Sequence, residues 1–362
     1  MRPAAVEAML PFFSERFANP SGSHRFARDA RRAVDEARDQ VAELLGVAPG
    51  EVVFTGCGTE ADNTAILGTA GLALCGAAEH HAVLHPTEQR GGIVVGSDAT
   101  GRIDLDRLAD ALTPEVTIVS VMAVNNEVGT ISDLAAVSRL VRSAAPGALL
   151  HTDAVQAVCW LDIRTIAPLV DLMSFSAHKF GGPKGVGVLT IRDGVELEPL
   201  ISGGGQERDR RSGTHNVAGI AALTSALSEA DRTRPGENIR LAVLRDRLID
   251  GLSSSVEGVV ETVPRDRKVA GSAHVCLEAV ESESLLFLLD EADVCASAAS
   301  ACASGAMEPS HVLAAMGVDR SLAAGALRMT LGHTTTADDV DRAVDVVGSS
   351  VRRLRKAAVP RP

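Results

Sequence analysis

Three apolar runs, at residues 116–124, 148–151 and 170–175, alternate with stretches of helical period such as 133–144. Each run is short and almost free of charged side chains, the pattern of a strand buried on both faces. Strands alternating with helices build a mostly parallel sheet covered on both sides, so the predicted fold class is α/β. Upstream, residues 27–45 place Ala30, Val34, Ala37, Val41 and Leu44 at helical spacing before Gly46. A strand is expected at 51–54 and a helix from Ala61 onward.

The clearest break is the polar segment 231–238, Asp-Arg-Thr-Arg-Pro-Gly-Glu-Asn, whose Pro-Gly marks a boundary. It predicts a large domain at 16–238 and a smaller α+β domain at 239–362. The second part reads as a helix over 239–253, a strand at 273–277 and a helix at 282–291. A strand near 327–331 and a last helix from Ala337 follow. A chain of 362 residues has room for two such lobes. With one Trp, Trp160, and no Tyr, its core must come from Ala, Val and Leu.

A net charge of −12 argues against nucleic acid or an anionic membrane as partner. Residues 1–20 are broken by Glu7, Pro11, Glu15 and Arg16, and the apolar stretch 65–78 is too short to span a bilayer. Six cysteines without Cys-x-x-Cys spacing predict neither a zinc site nor a disulfide framework, and suit a reducing cytoplasm.

The chemistry centres on residues 170–190, VDLMSFSAHKFGGPKGVGVLT. Lys179 follows a buried strand beside Ser176 and His178, where its amine can be kept near neutral and attach to an aldehyde. His151-Thr152-Asp153-Ala154-Val155-Gln156 puts a carboxylate and an amide at the end of a neighbouring strand. Pyridoxal 5'-phosphate needs this pair, a lysine for its aldehyde and an acid for its pyridine nitrogen. Thr55-Gly56-Cys57-Gly58-Thr59-Glu60 is a strand–loop–helix junction of the kind that receives a phosphate. Arg328 stands in the apolar run Leu327–Leu331 and needs an anion there.

From Glu7-Ala8-Met9-Leu10-Pro11 to the final helix, the chain resembles the cysteine desulfurases of the NifS/IscS type. These are class V aminotransferases of fold-type I, which bind pyridoxal phosphate. The resemblance implies a mostly parallel, seven-stranded-type sheet in the large domain, with residues 1–15 packing on the smaller one. It assigns Gly58, Thr59, Ser176 and His178 to the phosphate, and Lys179 to the cofactor aldehyde. His80 would stack on the ring and move protons, Asp153 bind the pyridine nitrogen and Gln156 the phenolic oxygen. Asn126 and Arg328 would bind the substrate carboxylate. Thr214, in the loop from Ser202, would reach the phosphate held by a second subunit, implying a homodimer. Cys302, in Ser300-Ala301-Cys302, would accept sulfur.

The implied reaction turns L-cysteine into L-alanine and leaves a persulfide on Cys302, for delivery to an acceptor or scaffold protein. Iron–sulfur cluster assembly is one destination, and the basic end 351–356 is a candidate docking surface. Selenocysteine lyase, cysteine-sulfinate desulfinase and a catalytically lapsed fold are the competing readings. Several departures stand out. Asp209 replaces an expected glycine, and the stretch before His80 is shortened. The family's opening segment would end just before Met1, so either the start lies further upstream, the favoured reading, or part of the substrate wall and a strand of the small lobe are missing. Cys57 is expected to be a small filler, Cys295 to be buried and His81 to be a bystander.

Overall fold

A computed structural model describes residues 1–298 and 310–358. One sheet contains β1 (Val52–Thr55), β2 (Leu72–Gly76), β3 (Ile93–Val95), β4 (Val116–Ser120), β5 (Leu149–Asp153), β6 (Leu172–Ser176) and β7 (Gly187–Ile191). Its order is β1-β7-β6-β5-β4-β2-β3. Pairs β2/β3, β2/β4, β4/β5 and β5/β6 are parallel, whereas β7 runs antiparallel to both β6 and β1. Two reversals restore direction, so β1, β2, β4, β5 and β6 all end on one edge. In open α/β sheets that edge carries the ligand.

Strands β1 and β6 are buried along their whole length, and β5 from its second residue on, as their near-continuous apolar runs require. The helix Gly58–Leu67 packs Ala61, Ala65 and Ile66 against Cys75, Ile118 and Leu189. Small side chains let this helix lie close to the sheet, compensating for the scarcity of aromatics. The helix Arg25–Leu45 buries Ala27, Ala30, Val34, Ala37, Val41 and Leu45 and stops at Gly46, whose φ of 74° closes it.

The chain forms two compact units. The first comprises residues 1–95, 104–124 and 132–234, and the second 96–103, 125–131 and 235–362. This differs from the expected division at its N-terminus. Residues 1–15 belong to the first unit, where buried Arg2 pairs with Glu229 at 2.9 Å. A boundary does fall within the expected segment 231–238, between Arg234 and Pro235, but no loop marks it: the helix Val217–Ser255 runs through the segment with Pro235 inside. Ion pairs one turn apart, Arg234–Asp231 at 2.8 Å and Arg240–Glu237 at 2.7 Å, support helix where composition suggests a loop.

In the second unit, β8 (Val259–Glu261), β9 (Ser272–Leu277) and β10 (Ala326–Thr330) form an antiparallel sheet in the order β10-β9-β8. The helices Ser282–Glu291 and Ala337–Ala358 complete the predicted set. Among the described residues, no helix is long and apolar enough to cross a membrane.

Candidate active site

The turn after β1 leads straight into the helix Gly58–Leu67. A Cβ on Gly58 would lie 2.7 Å from Val155 Cγ2 and 3.2 Å from Ser176 Cβ, so only glycine permits this approach. The helix N-terminus therefore abuts the segments that leave β5 and β6. Cys57 is more than a filler: it is the N-cap, its Sγ accepting from the Glu60 N–H at 3.4 Å. Thr59 is exposed on the first turn. Ser176 Oγ and His178 Nδ1 lie 2.9 Å apart, and burial followed by the charges of Lys179 and Lys184 lowers the imidazole pKa. Backbone N–H groups, a hydroxyl and a helix dipole make a cradle for a phosphate.

Lys179 ends the short 3-10 turn Ala177–Lys179 and is exposed. Asp153, at the end of β5, is buried and accepts from the Val155 N–H at 2.8 Å. Burial raises its carboxyl to about 6, against the opposing pull of that N–H and of the Lys179 charge. Gln156 follows, half-buried. His80 caps the helix His81–Gln89, with Nδ1 accepting from the Ala82 N–H at 3.1 Å. His81 is exposed, its ring tilted at 38° to that of His85 with centroids 4.8 Å apart.

Behind Asp153 lies a group of buried side chains to which the motifs assigned no role. Burial, then the charge of Asp153, raises the carboxyls of Asp62 and Glu79 well above the ordinary range. His151 lies between two hydroxyls, Ser120 at 2.8 Å and Ser174 at 2.9 Å, and burial lowers its pKa to about 3. It is therefore neutral, and its 3.7 Å approach to Asp62 is not an ion pair. A polar residue inside a run as apolar as 148–151 was the available signal for His151.

This arrangement sets a pH dependence. A carboxyl whose folded pKa is raised keeps its proton where the unfolded chain has lost it. Stability therefore falls as pH climbs from the unfolded value, about 4, through the folded one. For Asp153 that window is about 4 to about 6. In cofactor-stripped protein, Asp62→Asn should gain on the wild type as pH rises, with roughly 2–4 °C in Tm for each kcal/mol. Melting curves at pH 5 and 8 check this, and a constant Tm difference would refute it.

The loop 202–214 is pinned from below in the first unit. Buried Glu207 takes both Arg38 nitrogens at 2.7 and 2.8 Å, His215 at 2.6 Å and the Phe54 N–H at 3.1 Å. Burial acts to raise its carboxyl, yet His215 and Arg38 hold it below the ordinary range. Arg211 reaches Glu60 at 2.8 Å, tying the loop to the Gly58 turn, and Thr214 is exposed beyond it. Asp209 keeps the left-handed conformation expected of glycine, with φ 63°, and Arg208 before it has φ 56°. Aspartate is among the side chains that tolerate this region.

In the second unit, Arg328 on β10 donates through Nη1 to the Asn126 carbonyl at 3.0 Å. The turn holding Asn126 is shaped by Asn125, whose Oδ1 accepts from the N–H groups of Glu127 at 2.9 Å and Val128 at 3.0 Å. Cys302 lies outside the described residues. The flanks of its segment are anchored at this same place. Ser297 pairs with Arg328 through two backbone bonds, of 2.8 and 3.1 Å, and Ser310 Oγ donates to buried Glu127. Cys295 is exposed, contrary to expectation, because it precedes this bridge on a segment that no named strand contains.

The first-unit residues fit pyridoxal phosphate. The close glycine cradle suits a phosphate, and a buried carboxyl beside a lysine suits a cationic ring nitrogen with an aldehyde. The aminotransferase class-V family model matches residues 1–343. A cysteine desulfurase of Gluconacetobacter diazotrophicus is 43% identical across 98% of this chain and 91% of its own. The cysteine desulfurase IscS of Methanosarcina thermophila is 40% identical across 98% and 90%. A solved NifS-like protein superimposes with a TM-score of 0.90 at 33% identity, covering 98% of this chain and 96% of its own. With a family model spanning nearly its whole length and relatives above 40% identity, the chain belongs to the class V aminotransferases, among the cysteine desulfurases.

Proposed function

We propose that the protein is a pyridoxal 5'-phosphate-dependent cysteine desulfurase, converting L-cysteine to L-alanine and passing the sulfur through a Cys302 persulfide. The observation that carries this reading is the placement of Lys179 directly after β6 and of the buried Asp153 at the end of the adjacent strand β5, on the ligand edge of the sheet. When bound, the cofactor supplies an electron sink for the amino acid's Cα. Gly58, Thr59, Ser176 and His178 grip its phosphate, joined by Thr214 of a second copy in a homodimer. Gln156 bonds its phenolic oxygen and His80 covers its ring. Asp153 would hold the cofactor's ring nitrogen, its carboxyl favoured in the ionised form beside that positive charge. Asp153 then keeps that nitrogen protonated.

Arg328 and Asn126 hold the substrate carboxylate, the guanidinium as a two-pronged donor. The Lys179 amine removes the Cα proton. The Cys302 thiolate attacks the substrate sulfur, a new S–S bond forms, and the Cβ–S bond breaks. Its electron pair ends, with a proton, on the carbon that becomes the alanine methyl. The persulfide sulfur then moves to an acceptor or scaffold protein. The anchoring of both flanks of the Cys302 segment at Arg328 and Glu127 supports this assignment.

The test is to add L-cysteine to cofactor-loaded protein and to measure L-alanine with the mass of the Cys302 peptide. Equal alanine and added sulfur in the first turnover are expected; alanine with no sulfur on Cys302 overturns the transfer step. Arg328→Ala should cut kcat/KM about 100-fold, mostly through KM, as loss of a charge-assisted pair implies. Arg328→Lys should fall between. Steady-state kinetics check both, and an unchanged KM would remove Arg328 from the site.

A further inference from the structure

Three successive backbone carbonyls, those of Lys179, Phe180 and Gly181, are each held by a group from outside their own turn. Cys159 Sγ donates to the Lys179 carbonyl at 3.8 Å. Arg2 Nε donates to the Phe180 carbonyl at 3.1 Å, and the Arg2 backbone N–H to the Gly181 carbonyl at 2.8 Å. From within, the Ala177 carbonyl accepts the Phe180 and Gly182 N–H groups at 3.2 and 2.9 Å. Gly181 has a φ of 93°, and a Cβ there would lie 2.6 Å from Arg2 Cγ. Arg2 thus lies flat against the turn that begins immediately after Lys179.

Arg2 is only 6% exposed, an expensive place for a charge unless it is paired. Its Nη1 meets Glu229 of the helix Val217–Ser255 at 2.9 Å. The guanidinium therefore bridges a long helix and the lysine turn. Resting on the cofactor reading of Lys179, we propose that Arg2 is a positioning residue that holds the Lys179 backbone so that its amine stays aligned with the cofactor aldehyde. Four flexible methylenes separate that amine from its Cα. Fixing the backbone is the means left to reduce the search, and misplacement of a reacting group by about 1 Å is enough to cost rate. Glu229 supports the alignment by neutralising and orienting Arg2.

The experiment uses the full-length, cofactor-loaded protein and its Arg2→Ala, Arg2→Lys, Gly181→Ala and Glu229→Gln variants. Three quantities are read: the rate of cofactor release, the pH at which the Lys179-bound cofactor's absorbance titrates, and Tm. Arg2→Ala and Gly181→Ala should release cofactor about tenfold faster and shift the titration, since each removes or displaces the side-chain donor to Phe180. Arg2→Lys should shift both readouts less, because it keeps a positive charge and a side-chain donor that Arg2→Ala removes. Glu229→Gln should move them in the same direction, and it carries the test should Arg2→Ala not fold. A lower Tm with wild-type release and titration in all variants overturns the proposal, since Arg2 would then serve stability alone. Borohydride trapping on the wild type separates the two readings: no adduct at Lys179 means that the cofactor assignment itself has failed.

Discussion

Lys179→Ala should give a protein that folds, binds pyridoxal phosphate only reversibly and desulfurates L-cysteine at least roughly 10⁴-fold more slowly. Both covalent attachment and Cα proton transfer are lost, and the latter alone commonly accounts for about 10²–10⁴. Folding should survive because Lys179 is exposed and the turn's backbone is held by hydrogen bonds to Ala177 and from Arg2 and the Cys159 thiol. Absorbance, borohydride trapping and alanine formation check the three parts separately. Retained trapping in the variant would move the attachment point elsewhere, Lys184 being the nearest other lysine in the chain. Added methylamine should restore part of the proton transfer without restoring attachment.

Cys302→Ser should bind cofactor as the wild type does, yet lose sulfur transfer by about 10³-fold or more, since an alkoxide is not available at neutral pH to take the sulfur. Mass spectrometry of the Cys302 peptide and alanine quantification read this directly. The comparison with Cys295→Ser is informative, because Cys295 is exposed and lies only seven positions earlier. That variant should behave as the wild type. If instead Cys295→Ser abolished the persulfide and Cys302→Ser did not, the acceptor role would belong to the cysteine before the Ser297–Arg328 bridge.

What the residues declared in advance was uneven, for physical reasons. Strands β4, β5 and β6 were legible because burial on both faces leaves unbroken apolar runs. The helix at 282–291 was legible from its period and bounds. By contrast β2, Leu-Ala-Leu-Cys-Gly, lacks β-branched residues and read only as part of an apolar stretch. The helix through Pro235 was hidden because its support comes from ion pairs across a turn, which composition does not display. Lys179, Asp153 and the Gly58 turn were evident from their place after strands. Asp62 and Glu79 were not, since a buried acid reveals itself only through its neighbours, and His151 was signalled only as a polar residue in an apolar run. Cys57 as an N-cap and Arg2 under the lysine turn are likewise facts of geometry.

The thiol that bonds the Lys179 carbonyl belongs to Cys159, and the next residue is Trp160. The chain has no other Trp and no Tyr, so essentially all its intrinsic emission above the phenylalanine range comes from one indole. That indole sits one peptide away from a contact with the catalytic turn. The protein thus carries a native fluorophore next in sequence to a residue that touches the turn where an absorbing cofactor would attach, and occupancy should be readable as energy transfer without any label. Loading, release and turnover could then be followed in real time from a single reporter.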